Sequence, residues 1–148
     1  MPTAENYEVA VAMADQIRET MDTAFADDDF SVQVEPTLVV DATPPTVDIF
    51  PADIAYGTDT RGMGGRGELL FTVRTRVNPN DAEANQVLLY EFMDDLTGTS
   101  VVGALLDDST LGGIASDVHV DEASVTGFLL YGALVGFQFT AAVVRADS

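Results

Sequence analysis

Two hydrophobic periods stand back to back between Glu68 and Leu96, and no other stretch restricts the possible folds as strongly. From Glu68 to Val77, Leu69, Phe71, Val73 and Val77 fall on one face while Glu68, Thr72, Arg74 and Arg76 fall on the other. This is the period of a half-buried strand. Asn78 then takes a capping position and Pro79 the first helical position, where a missing N–H costs nothing. Helical spacing follows through Ala84, Leu88, Phe92 and Leu96, with Asn85, Leu89 and Met93 alongside and Gly98 as the stop. An apolar strand face and an apolar helix stripe must both be buried, and laying the helix across the sheet buries them together. The expected fold is α+β: a mainly antiparallel sheet of about four strands, with an N-terminal helix and a central helix packed on it.

The rest of the chain completes that sandwich. Thr3 to about Phe25 reads as an amphipathic helix, with Tyr7, Ala10, Met13, Ala14, Ile17, Met21 and Ala24 on its apolar stripe. Asp27-Asp28-Asp29 lacks the alternating acids, central Gly and distal Glu of a calcium loop and reads as a solvated turn. Ser31–Val34, Thr37–Asp41 and Thr46–Phe50 are β-prone pieces broken by Pro36 and Pro44-Pro45, which suggests two strands at or near a sheet edge. Residues 51–67 show no period and are expected to form a mobile loop. Ser100 to Leu106 predicts one or two helical turns, stopped by Asp107-Asp108. Leu111-Gly112-Gly113 is a turn into a strand around Asp117–Asp121. The closing segment alternates, with Val135, Phe137, Phe139, Ala141 and Val143 on one face and Gln138 and Thr140 on the other. Leu69, Phe71, Val73, Leu88, Phe92, Leu96, Phe137 and Phe139 are expected to share one core. Phe128-Leu129-Leu130-Tyr131 reads as an apolar connection, either part of that core or, if exposed, an interface.

The 148 residues fit one domain, residues 1–148, with an ordinary core. No apolar run is long enough to span a bilayer, and Glu5 and Glu8 stand where a secretory signal would be basic, so the expectation is a soluble protein starting near Met1. Absence of cysteine excludes disulfides, thiolate catalysis and sulfur-rich zinc sites.

Charge is the abnormal quantity: 25 acidic residues stand against six Arg, for a net charge of −19. Phosphate-based nucleic-acid binding is disfavoured. The acidity fits a solvated halophile-type surface, a basic partner, or a passage through which something anionic slides without sticking.

Catalytic and cofactor motifs are missing from this inventory. Gly62, Gly64 and Gly67 spell G-x-G-x-x-G, but they follow a polar loop and open a strand, whereas a dinucleotide fingerprint follows a strand and opens a helix. A kinase-type glycine loop needs a lysine, and the chain has none. His119, the one histidine, lies between Val118 and Val120 near Asp117, Asp121 and Glu122 and reads as a solvent-facing strand residue rather than a metal ligand. No serine has a G-x-S-x-G setting, and with so many acids no carboxylate pair stands out. The expectation is a non-enzymatic binding or assembly protein without cofactor or metal.

The order of elements and several local strings resemble the tail terminator and tail-completion proteins of long-tailed, siphovirus-type bacteriophages. The residues that carry the resemblance are the N-terminal amphipathic helix, Pro44-Pro45-Thr46-Val47-Asp48-Ile49-Phe50-Pro51, and the glycine loop leading into Leu70-Phe71-Thr72-Val73-Arg74-Thr75-Arg76-Val77. Asp81-Ala82-Glu83-Ala84-Asn85-Gln86-Val87-Leu88-Leu89, Leu111-Gly112-Gly113 and Tyr131-Gly132-Ala133-Leu134-Val135-Gly136 continue it. The resemblance implies an α+β subunit of a virion ring, usually a hexamer, at the head-proximal end of the tail. Such a ring is assembled in the host cytoplasm, stops tail-tube polymerisation and meets the tail tube protein on one side and the head connector or neck protein on the other. It carries no catalytic residues and has no membrane role, and DNA passes through it without specific binding, which an acidic channel favours. The net charge of −19 without Lys departs from the expected pattern and suggests a halophilic host or salt-dependent assembly.

A head-completion or neck protein of the same junction is the nearest alternative; an acidic cellular α+β binding module or small enzyme is the alternative from another class. For a ring, the expected contact residues are Arg61, Arg66, Arg74 and Arg76. Arg74 and Arg76 would pair with acids of the next copy in a heterologous contact, their reversal leaving the monomer stable, unless they pair within their own chain. Arg61 and Arg66, on the glycine loop, would contact a neighbouring ring, tube or connector protein.

Overall fold

The structure is a computed structural model that describes residues 5–27, 31–40, 44–54, 68–78, 82–93, 100–121 and 124–145. The element order is α1 (Glu5–Ala24), β1 (Gln33–Glu35), β2 (Thr46–Ile54), β3 (Glu68–Val77), α2 (Ala82–Met93), α3 (Val101–Leu106), a 3₁₀ turn (Leu111–Gly113), β4 (Ala115–Asp121), β5 (Leu129–Tyr131) and β6 (Leu134–Arg145). The strands form one six-stranded sheet in the order β1-β2-β3-β6-β4, with β5 also on β6. All pairings are antiparallel except β1 with β2. The class is α+β.

Period two in β3 and β6 acts as the sequence predicts. Val73 faces Phe139 and Ile49, and Leu69, Phe71, Val77, Phe137, Ala141 and Val143 lie on the same buried face. Val9, Met13, Ile17 and Met21 of α1, Leu89 and Phe92 of α2 and Val101 and Leu105 of α3 complete one core cluster against it. Phe25, just past α1, meets Phe92 edge to face with ring centroids 5.6 Å apart, tying the first helix to the second. Burying a side chain of that size contributes roughly 1.5–3 kcal/mol. Ser100 caps α3 as the first turn requires, its Oγ accepting from Gly103 N at 2.9 Å.

Four details differ from the sequence reading. Leu89, not Leu88, is fully buried on α2, and Leu88 is half-buried. The helix carries Val87, Leu88, Leu89, Tyr90, Phe92 and Met93, apolar on nearly every side, so packing chooses which stripe turns inward. Tyr7 is exposed and Val9 takes its core place. The sheet has six strands where about four are expected, the unforeseen one being Leu129–Tyr131, which pairs with β6 as a hairpin instead of serving as a connection. Finally, β2, second from the sheet edge and so near it as the prolines suggest, runs on past Phe50 to Ile54. Only Thr46–Asp48 is covered by β1, so Pro51 falls on the uncovered half, beside an irregularity in the register between Pro51 and Asp53. There a missing N–H removes no ladder bond on the open side. Leu96, Gly98, Pro79 and the glycine run 62–67 lie outside the described residues.

Candidate functional site

The sheet face turned away from the helices carries a buried ionic cluster. Register sets it: Asp48 of β2 stands opposite Arg74 of β3, which stands opposite Gln138 of β6, while Arg76 lies between Thr46 and Gly136. Alternation that sends Val47, Ile49, Val73 and Thr75 to the helices therefore sends Asp48, Arg74 and Arg76 to the other side. Asp48 is fully buried. Arg74 donates to it from Nε to Oδ1 at 3.0 Å and from Nη2 to Oδ2 at 2.5 Å, the bidentate geometry that a planar guanidinium favours. Arg76 adds Nη2 to Oδ2 at 3.2 Å. Val39 closes the group with both backbone atoms: its N donates to Asp48 Oδ2 and its carbonyl accepts from Arg76 Nη2, each at 3.0 Å. The segment around Val39 is thus fastened over the cluster.

Aromatic rings flank Arg74. Its guanidinium carbon is 5.2 Å from the Phe50 ring centroid and 5.4 Å from that of Tyr131, both within cation–π range. The Tyr131 hydroxyl donates to Gln138 Oε1 at 2.8 Å. Burial raises the Tyr131 pKa, with Arg74 and Arg76 pulling it back. Burial also lowers the Arg76 pKa; Asp48 opposes this and Arg74 adds to it. Among the described residues two guanidiniums stand against one carboxylate, one positive charge in excess, and Arg76 Nε is buried with no acceptor.

The four arginines expected to make contacts divide accordingly. Arg61 and Arg66 lie outside the described residues. Arg74 and Arg76 come together, on one face as the period predicts, but bound to Asp48 of their own chain. Because the Arg76 side chain is only 7% exposed and that of Asp48 is 0%, charge reversal there disrupts the monomer as well. The expectation that it would leave monomer stability unchanged is corrected on that ground. Asp48, Tyr131 and Phe50 were not singled out from the sequence as site residues; an Asp embedded in the apolar run Val47-Asp48-Ile49 is the signal that points to the first of them.

Elsewhere the side chains hold structure. Gln16 Nε2 reaches the carbonyls of Ala104, Leu105 and Asp108 at 3.0, 2.7 and 3.2 Å and so closes the end of α3 against α1. Asp108 accepts from Thr110 Oγ1 and from the backbone N of Thr110 and Gly112, which lower its pKa and shape the turn containing Gly112 at φ 72°. His119 is exposed on β4, and among the described residues no group of three or more His, Cys, Asp or Glu is arranged to hold a metal. Among them, too, no helix is long and apolar enough to cross a membrane.

Fold and cluster together define the class: an α+β protein whose sheet face turned away from the helices carries a buried, arginine-rich, aromatic-flanked ionic cluster. No protein-family model matches the chain, and no curated protein does.

Proposed function

We propose that the chain is a structural subunit of a phage virion, assembling as a homo-oligomeric ring at the head-proximal end of the tail, where it ends tube polymerisation and joins the tail to the head connector. The observation that carries this reading is the resemblance in sequence, whose strings fall on regular elements of an α+β fold of the kind the family implies. The Pro44–Pro51 string enters β2, Leu70–Val77 is β3, Ala82–Leu89 lies on α2 and Tyr131–Gly136 turns from β5 into β6. In the proposed ring, subunits of −19 each set a negative potential that lets DNA pass without sticking, and their mutual repulsion makes assembly stronger as salt screens it.

Native mass spectrometry and negative-stain imaging of the purified protein over a range of salt concentrations test the proposal. Closed rings that cap isolated tails are expected. A species that stays monomeric at every salt concentration overturns the reading, and rings that bind filled heads but not tails move it to a neck protein of the same junction.

A further inference from the structure

The longest stretch of this chain without Asp or Glu is residues 123–146. That stretch supplies β5 and β6, and β3, the neighbour of β6, has no acid after Glu68. The outer face across β3, β6 and β5 is therefore the one described part of a −19 molecule that repels an acidic surface least, and the Asp48 cluster gives it a positive charge in excess. The cluster also has unused donors. Arg74 commits Nε and Nη2 to Asp48, and Arg76 commits Nη2 to Asp48 and Val39. Nη1 of each makes no hydrogen bond among the described residues. The Arg74 side chain is 14% exposed. Leu129 stands opposite Gly136, in line with Arg76 across β6, and is 42% exposed beside Tyr131; Leu130 is 80% exposed.

On these grounds, and resting on the self-assembly reading above, we infer that Arg74 receives a carboxylate from a second copy of this chain on this face, with Leu129 and Tyr131 as its apolar rim. Charge complementarity identifies the occupant. A copy carrying 25 acids brings a carboxylate to almost any approach, and among the described residues the outer face of β3, β6 and β5 meets it with no acid after Glu68. An apolar rim strengthens the pair by excluding water, and the half-engaged guanidinium is already oriented by Asp48 and by the Phe50 and Tyr131 rings, so little side-chain entropy is lost on docking. Such a contact joins unlike surfaces of two copies, the arrangement that closes into a ring or continues as a filament.

Sedimentation velocity of the full chain at fixed ionic strength tests it. Leu129→Glu supplies an internal carboxylate at the rim and is expected to raise the concentration for half-association about ten-fold or more, while Leu129→Lys, with the same loss of apolar surface, raises it much less. Arg74→Gln, checked for folding by circular dichroism, should match Leu129→Glu; if it fails to fold, the Leu129 pair still decides. In the free chain, sodium acetate against a sodium chloride control should shift the Arg74 Nε–H resonance. Assembly as in the wild type by Leu129→Glu overturns this inference and leaves the ring reading intact. An equal effect of Leu129→Glu and Leu129→Lys also overturns it, since the rim would then act by apolar contact alone. A wild-type chain that never associates overturns both.

Discussion

Replacing Asp48 with Ala removes the carboxylate that holds two guanidiniums and the Val39 amide on the outer sheet face. Its side chain is 0% exposed, so water cannot substitute for it. Removing one partner of a buried ionic cluster costs about 3–5 kcal/mol, chiefly because the charge left behind stays desolvated. Here two like charges remain and repel each other. Against a typical total stability of about 5–15 kcal/mol, the variant is marginal or unfolded. Arg76→Met is the informative contrast. It leaves the bidentate Arg74–Asp48 pair intact, takes the described cluster from one excess positive charge to neutrality and eliminates the partnerless Nε, but deprives the Val39 carbonyl of its donor, so its cost should be about 1–2 kcal/mol, below that of Asp48→Ala. Urea titration followed by far-ultraviolet circular dichroism reads both as shifts in midpoint at constant slope. If Asp48→Ala costs less than about 1 kcal/mol, or Arg76→Met costs as much as Asp48→Ala, the reading of the cluster as a desolvated ionic unit with surplus positive charge is refuted.

Leu89→Ala should cost about 2–5 kcal/mol and Leu88→Ala clearly less, because only Leu89 is fully enclosed; equal midpoints in denaturant would mean that α2 is rotated otherwise. Gly136→Ala should destabilise by about 1–3 kcal/mol or more, since its Cβ would stand 2.0 Å from the Thr75 backbone oxygen and a backbone atom cannot rotate away; a thermal midpoint within about a degree of wild type refutes the close approach. Tyr131 should ionise above the ordinary tyrosine range in an ultraviolet phenolate titration, because burial raises its pKa. A raised folded-state value means that its contribution to stability is complete below the ordinary tyrosine pKa of about 10 and is lost as pH rises through the raised one. Tyr131→Phe should abolish that high-pH loss, and an unchanged profile would show that the burial of Tyr131 is not linked to stability.

Local pattern in the chain was enough to determine the two central strands, which residues of each face the helices, the first helix with most of its stripe, and the placement of Arg74 and Arg76 on one face. Those properties depend only on the repeat of the backbone, two residues for a strand and 3.6 for a helix, and a repeat is visible wherever apolar residues follow it. The rotation of α2 was not visible, because Leu88 and Leu89 satisfy the period equally and only contact with Phe71, Phe25 and the rest of the core selects between them. Nor was the pairing of Leu129–Tyr131 with β6, since three residues are too short to show a period and their partner is found through a turn at Gly132 with φ 65°. The ionic cluster lay furthest from reach. Asp48 is separated from Arg74 by 26 positions in the chain, and which acid neutralises which arginine is decided by strand register, a property of two segments together that neither one carries alone.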